Sequence, residues 1–149
     1  MALAARRDGS GARVFVLMGD GEQAEGSVWE AAMAASHYEL DNLVAIIDNN
    51  NLQISGPVDS VMSSAPLDEK YASFGWSVRS IDGHDFPALN AAFDEAPWKT
   101  GRPAMVIART IKGRGASFME NDVAWHHKAP TRDEFDHAIA ELDRMAEEM

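Results

Sequence analysis

The sequence contains no cysteine in its 149 residues, and positive charge is scarce. Without cysteine, disulfide bonds and thiol catalysis are excluded, although the absence does not decide the cellular compartment. The chain has 13 Lys and Arg residues against 24 Asp and Glu residues, which gives a net charge of -11. Nucleic acids and anionic membranes bind basic surfaces, so neither is expected as a partner.

Long apolar runs are also missing. No stretch approaches the roughly 18 residues of a membrane span. The start of the chain carries no signal-peptide pattern, and a cytoplasmic location is therefore expected. Hydrophobic residues make up 46% of the chain, which is enough to build the core of one domain over residues 1–149.

Apolar stretches alternate with helical patterns along the chain. This alternation predicts an α/β fold, in which a parallel sheet carries helices on both faces. Strands are predicted at 13–18, 43–48, 76–81 and 104–109, and helices at 22–38, 66–74 and 86–96, followed by a long glycine-bearing loop and a terminal helix. The first two strands are nearly continuous apolar runs, as expected of strands covered on both faces.

Two helix starts are well marked. Asp85 is a good N-cap for the helix that follows it, and we assign the His84-Asp85 pair to structure rather than to a site. Thr131 and Glu134 form a capping-box pattern at the start of the terminal helix. One stripe of this helix is apolar, which predicts a helix that covers the core or an interface; the stripe contains Phe135, Ile139, Leu142 and Met145.

Polar residues follow the first two predicted strands and suggest a ligand site. The first strand runs into Gly19-Asp20-Gly21, where glycines accept unusual dihedral angles and let a ligand approach the backbone. A helix starting at residue 22 would aim unpaired N-H groups at this turn, which favours a phosphate. Because Asp20 would repel a phosphate, we expect a divalent cation between them, with Asn50 supplying an amide oxygen.

Each half of this pattern is ordinary by itself. Gly-Asp-Gly is a common turn and Asn-Asn-Asn is a common loop. Both lie at the carboxyl ends of strands that flank one helix, however, which is where open parallel sheets bind ligands. The pair therefore favours a site.

At these residues the chain resembles the thiamine diphosphate enzymes, and within them the transketolases. Residues 19–31 (GDGEQAEGSVWEA) and 42–56 (NLVAIIDNNNLQISG) carry the two main family motifs. DGHD at 82–85, KGRG at 112–115 and WHHKAP at 125–130 follow in family order. The chain looks like the amino-terminal subunit of transketolases that are split into two polypeptides.

The resemblance implies a cofactor, thiamine diphosphate, and a metal, Mg²⁺ or another divalent cation. The implied metal ligands are Asp20, Asn50 and the backbone carbonyl of Leu52. Ile54 would pack against the cofactor rings, and His126 would reach both the cofactor and the donor substrate. The implied cofactor contacts together are Gly19, Asp20, Gly21, Asn50, Ile54 and His126.

The catalytic residues that the resemblance implies are His126, Glu25 and Glu30. The two glutamates match acidic residues of a subunit interface, through which protons can pass between sites. They are five residues apart and do not share a helix face, and acidic residues near a helix start are favoured by the dipole in any case. Residues 125–127 could equally form an aromatic loop packed on the domain. His127 stands where the family usually has Gly, so the loop is expected to need a left-handed conformation there, with His127 as a possible substitute for His126.

The implied function is transfer of a two-carbon ketol unit between sugar phosphates, such as pentose phosphates. Residues 1–149 would form part of a diphosphate-binding domain, and its upstream half and the pyrimidine-binding domain would be absent. A partner chain with that second domain, in a dimer or other homo- or hetero-oligomer, would then be needed for turnover. The alternatives are an activity like deoxyxylulose-phosphate synthase or 2-oxo-acid dehydrogenase, and a catalytically silent binding or assembly module.

Overall fold

The strands and helices alternate along residues 1–147, the part of the chain that the computed structural model describes. The strands are β1 (Val14–Gly19), β2 (Leu43–Asn49), β3 (Leu52–Gln53), β4 (Gly56–Pro57), β5 (Ser77–Asp82) and β6 (Ala104–Arg109). The α-helices are α1 (Ala2–Arg7), α2 (Gly26–His37), α3 (Val58–Val61), α4 (Leu67–Ser73), α5 (Phe86–Asp94) and α6 (Arg132–Glu147). Short 3-10 helices span Gly21–Ala24 and Val123–His126.

Four strands form one parallel sheet in the order β1-β2-β6-β5, and β3 and β4 form a short antiparallel hairpin. The predicted α/β class is therefore confirmed. The two faces of β6 show how the sheet is covered, since its side chains alternate. Met105 and Ile107 join a cluster with Tyr71 of α4, while Val106 joins a second cluster with Ala92 of α5.

The first strand departs from the expectation of a strand covered on both faces. β1 lies at an edge of the sheet, and Phe15, Val16 and Leu17 are 46%, 39% and 72% exposed. One neighbouring strand and an edge-to-face contact between Phe15 and Phe93 at 5.8 Å cover it only in part. The expectation holds for β2, whose residue Val44 is fully buried.

The helix predicted at 22–38 is broken. A 3-10 helix ends at Ala24, and α2 begins only at Gly26 because Glu25 between them is extended, with φ -76° and ψ 126°. The side chain of Gln23 turns inward, and the backbone carbonyl of Gln23 accepts a hydrogen bond from the Trp29 indole at 2.9 Å. These contacts hold the 3-10 turn out of line with α2, so the N-terminus of the α-helix lies at Gly26 and not at residue 22.

The terminal helix has the predicted capping box. Its apolar stripe is not buried in the core of the described chain, so of the two predicted roles the covering of an interface stays a prediction. The Thr131 amide donates to Glu134 Oε2 at 2.8 Å, and the Glu134 amide donates to Thr131 Oγ1 at 3.3 Å. Within its described residues α6 has no buried side chain. The apolar stripe is 40% to 46% exposed. The helix contacts the preceding loop through Ser117, which hydrogen bonds to Glu141, and through Phe118, which stacks on His137.

None of the helices in residues 1–147 is both long and apolar enough to cross a membrane.

The capping box generates a prediction for stability at low pH. The Lys128 ammonium, with the Thr131 amide, holds the pKa of Glu134 down at about 2. A carboxylate with a lowered pKa stabilises the folded state above its ordinary pKa, and this contribution is lost as the pH falls from about 4.5 to about 2. We expect Glu134→Gln to unfold at lower denaturant concentration than wild type at pH 7, and the difference to disappear near pH 2.

The matched control is Asp143→Asn, which removes an exposed charge from the same helix. Urea unfolding followed by circular dichroism measures both variants. If Glu134→Gln is less stable than wild type by the same amount at pH 7 and pH 2, the Glu134 charge does not stabilise the fold as proposed.

Candidate functional site

A cavity of about 540 Å³ lies at the carboxyl ends of β1 and β2. This volume is typical of small-molecule sites. Eight of the residues singled out in the sequence line it, and they are Gly19, Asp20, Gly21, Glu25, Asn50, Leu52, Ile54 and His126. Four further lining residues were not predicted as site residues, and they are Glu22, Asp48, Gln53 and Lys112.

Asp20 is the buried charged group of the cavity, with an exposed fraction of 3%. Its Oδ1 accepts from the Gly21 amide at 2.8 Å, and its Oδ2 accepts from the Asn51 amide. Burial raises the pKa of Asp20, and the neighbouring Asp48 carboxylate adds to the rise, against the effect of the two amides. A carboxylate whose charge is disfavoured in this way would be stabilised by a cation.

The glycines around Asp20 serve packing and access rather than unusual dihedral angles, which corrects the expectation. Neither Gly19 nor Gly21 has a positive φ. A Cβ on Gly21 would come within 2.7 Å of Gln53 Cβ, so only glycine lets the β3 segment lie against this turn. A Cβ on Gly19 would meet no atom within 4 Å, which leaves the backbone open to the cavity.

The Asn-rich segment makes the sharp turn after β2. Asn51 has φ +60°, a left-handed conformation that asparagine adopts more readily than most residues. Asn50 Oδ1 accepts from the Leu52 amide at 2.9 Å, which closes a local side-chain turn. The turn brings Asn50 and Leu52 back to the cavity beside Asp20.

The buried Gln23 side chain fixes the Gly-Asp-Gly turn through hydrogen bonds. This side chain is 1% exposed, and its Nε2 donates to the Gly19 carbonyl at 3.0 Å. The Tyr71 hydroxyl donates to Gln23 Oε1 at 2.7 Å. Glu22 adds a further restraint because its Oε2 accepts from the Gly19 amide at 3.1 Å. The turn that carries Asp20 is therefore tied to α4 and held in one conformation.

Lys112 and His126 are the basic residues that line the cavity. Loss of hydration lowers the pKa of His126, and the neighbouring Lys112 and His127 lower it further. At neutral pH the imidazole is therefore in its neutral form, which can both donate and accept a proton. The cavity thus combines the Asp20 carboxylate with basic side chains from the loop after β6.

The loop around His126 differs from expectation in one respect. His127 has φ -125°, so the left-handed conformation expected at this position is wrong. Its ring stands edge-to-face on His126, with the ring centres 4.8 Å apart. Trp125 packs inside the loop, as the alternative interpretation proposed, because its indole donates to the Phe118 carbonyl at 3.2 Å and Lys128 lies 4.1 Å above its ring. His126 nonetheless lines the cavity.

Glu30 is not brought to the cavity. It is exposed on α2, whereas Glu25 lines the cavity at the junction between the 3-10 helix and α2. Within residues 1–147, no group of three or more His, Asp or Glu side chains is arranged to hold a metal ion. A cation here would take some ligands from neutral oxygens and from a bound anion, which is how Mg²⁺ is commonly held.

Three of the four missed residues have features that explain their place at the cavity. Lys112 follows β6, whose carboxyl end reaches the same edge as β2. Asp48 is the next-to-last residue of β2, and its side chain accepts from the Thr110 hydroxyl. Gln53 faces Gly21, and its buried Nε2 finds no partner among the described residues. The strand order, which places β6 beside β2, was needed to include Lys112.

The Gln23 contacts generate a prediction. Tyr71→Phe leaves the buried Gln23 Oε1 without a donor, and we expect the free energy of unfolding at pH 7 to fall by about 1–3 kcal/mol. Burial, with the Glu22 charge, raises the pKa of Tyr71 to about 12. A raised pKa stabilises the folded state below pH 10, and the contribution is lost between about pH 10 and 12. The difference between wild type and variant should therefore shrink over that range.

Denaturant unfolding at pH 7, 10 and 12 measures this effect. Tyr38→Phe is the control, since the Tyr38 side chain is 44% exposed. Equal stability of Tyr71→Phe and wild type at pH 7 would show that Tyr71 does not hold Gln23.

The family model that matches this chain describes transketolases, and two similar known proteins are transketolase subunits. Residues 5–144 match the family model described as transketolase, thiamine diphosphate binding domain. The chain is 42% identical over 149 residues to one subunit of the apulose-4-phosphate transketolase of Phocaeicola vulgatus, covering 100% of this chain and 53% of the relative. It is 41% identical to the SqwG subunit of the 6-deoxy-6-sulfo-D-fructose transketolase of a Clostridium species, covering 97% and 52%.

Solved structures of transketolases have the same fold as this chain. The fold superposes on transketolase from Campylobacter jejuni with a TM-score of 0.85 and 28% identity, covering 95% of this chain and 23% of that one. The chain spans about half the length of the curated relatives it matches.

Proposed function

The chain belongs to the transketolase family, and we propose that its cavity holds Mg²⁺ and the diphosphate of thiamine diphosphate for transfer of a two-carbon ketol unit between sugar phosphates. The observation that carries the proposal is the cavity itself. It is lined by Asp20, Asn50 and Leu52, which carry the proposed oxygen ligands, together with the basic residues Lys112 and His126.

The residues present fit a metal and a diphosphate. A carboxylate, an amide oxygen and a backbone carbonyl are the hard ligands that Mg²⁺ prefers. Asn50 Oδ1 accepts one hydrogen bond, from Leu52, and retains a lone pair for a cation. A cation beside Asp20 would offset the cost of burying that carboxylate.

Two donors are suited to the anionic part of the ligand. Lys112 supplies a positive charge, and the buried Gln53 Nε2 supplies N-H groups that have no partner in the described chain. Gly19 and Gly21 leave the backbone accessible. Ile54 lines the cavity although it is 61% exposed, and its apolar surface would be covered by the cofactor rings.

Thiamine diphosphate, when bound, supplies the carbanion chemistry of ketol transfer. His126, neutral at physiological pH, would accept a proton from a hydroxyl of the donor sugar and return it later. Glu25, on the cavity wall, would hold or pass a proton. Glu30 lies outside the cavity, and its proposed place is the interface with a partner chain.

A partner chain with a pyrimidine-binding domain is part of the proposal. The relatives are themselves named as single subunits of larger transketolases, and this chain matches about half of their length. Those relatives act, by name, on apulose 4-phosphate and on 6-deoxy-6-sulfo-D-fructose. Both are ketoses with an anionic group, and a ketose of that class is the proposed donor here.

Binding tests the site. Thiamine diphosphate is titrated by calorimetry into the chain alone and into the chain with a complementary chain that carries a pyrimidine-binding domain. In both cases we expect binding only when Mg²⁺ is present. Asp20→Ala removes the charged metal ligand, and we expect affinity to fall at least about tenfold, which corresponds to about 1.4 kcal/mol. Asp94→Ala, an exposed change on α5, should bind like wild type.

The proposal fails if Asp20→Ala and wild type bind equally, or if wild type shows no Mg²⁺-dependent binding with the complementary chain present. A folded variant is confirmed by its circular dichroism spectrum.

Product analysis then separates the alternatives. The chain with its complement should transfer a two-carbon unit from a ketose phosphate to an aldehyde acceptor and give no product from pyruvate. Product from pyruvate would favour a deoxyxylulose-phosphate synthase-like or 2-oxo-acid dehydrogenase-like enzyme. Complex formation without either product would favour the assembly module.

A further inference from the structure

The turn at 82–85 lies directly against the end of β6. The Gly83 amide donates to the Arg109 carbonyl at 2.7 Å. A Cβ on Gly83 would come within 2.5 Å of Thr110 Cγ2 and 3.0 Å of the Arg109 carbonyl oxygen, so only glycine allows this approach. The turn is therefore packed on the point where the chain leaves the sheet and starts the long loop.

His84 makes the contact that matters for the loop. Its Nε2 accepts from the Ile111 amide at 2.8 Å, and its own amide donates to Asp82 Oδ1 at 2.9 Å. Asp85 caps α5 through the Ala88 amide at 3.0 Å, as predicted. His84 and Asp85 thus have different roles. Asp85 caps α5, whereas His84 contacts the start of the long loop. To accept at Nε2, the imidazole of His84 must be neutral and carry its proton on Nδ1.

The start of the long loop is also fixed by the end of β2, next to the candidate site. The Thr110 amide donates to the Asn49 carbonyl at 3.3 Å, and the Thr110 hydroxyl donates to Asp48. Two successive residues after β6 are therefore fixed, Thr110 by the end of β2 and Ile111 by His84. The next residue is Lys112, whose side chain lines the cavity.

We propose that His84 is a positioning residue for the diphosphate site, which acts by fixing the backbone from which Lys112 enters the cavity. This inference rests on the proposed function. His84 lies outside the lining of the cavity and reaches it through the hydrogen bond to Ile111. Loss of its acceptor would free the Ile111 amide and let the start of the loop move away from the sheet, taking the Lys112 ammonium with it.

A double-mutant cycle tests whether His84 acts through Lys112. Binding of inorganic pyrophosphate with Mg²⁺ is measured for wild type, His84→Ala, Lys112→Met and the double variant. We expect His84→Ala to weaken binding about tenfold in the wild-type background and to have almost no effect in the Lys112→Met background, because groups that act as a unit are not additive. His84→Gln, whose Oε1 can accept a hydrogen bond, should recover part of the loss.

Limited trypsin digestion tests the anchor without any ligand. Trypsin cleaves after Lys112 and Arg114, which lie immediately beyond the anchored segment. We expect His84→Ala to be cut at these two bonds at least about fivefold faster than wild type, with His84→Gln between them and His37→Ala like wild type. Cleavage after Lys99 should not change and serves as the internal control.

Equal cleavage rates for His84→Ala and wild type would overturn the proposal, whatever the binding result. So would faster cleavage combined with additive losses in the cycle, which would make His84 a merely structural residue. A wild-type chain that binds no pyrophosphate contradicts the proposed function, whereas its trypsin pattern still reports whether His84 anchors the loop.

Discussion

The alignment of the carboxyl ends of β1 and β2 is the constraint on which the site depends. In the parallel register, Gly19 pairs with Asp48, and the Asp20 amide donates to the Asp48 carbonyl at 3.2 Å. This places the Asp20 carboxylate under the turn that follows β2, where the Asn51 amide donates to it. A shift of the strands by one residue would reverse which side chains face the core and remove that contact.

The order of the sheet determines what lies opposite Asp20. Because β6, and not β5, lies beside β2, the loop after β6 begins next to the Asp48 end of that strand. Lys112 and His126 therefore come from a segment distant in sequence. In a chain with a net charge of -11, these two basic residues stand in a cavity that is otherwise rich in carboxylates and also contains the Asn50 and Gln53 amides beside a glycine turn.

Sequence patterns predicted the parts of this structure that depend on local chemistry. Asp85 and the Thr131 capping box were found because side-chain caps act within three residues, and Asp20 and Asn50 because strand ends carry polar residues. The break before α2 was missed because it accompanies the inward turn of the Gln23 side chain, which accepts a hydrogen bond from the distant residue Tyr71. The exposure of β1 was missed for the same reason, since periodicity does not say which strand lies at an edge.

The site contains unfavourable features that a ligand would relieve. Asp20 is a buried carboxylate near a second carboxylate, and the Gln53 amide group is buried without a partner in the described chain. Such groups reduce the stability of the free protein and persist where binding requires them. A cation would compensate the carboxylates, and an anion would accept from Gln53. Because anything that binds only the folded state stabilises it, the same groups that weaken the free chain would make its stability respond to the ligand.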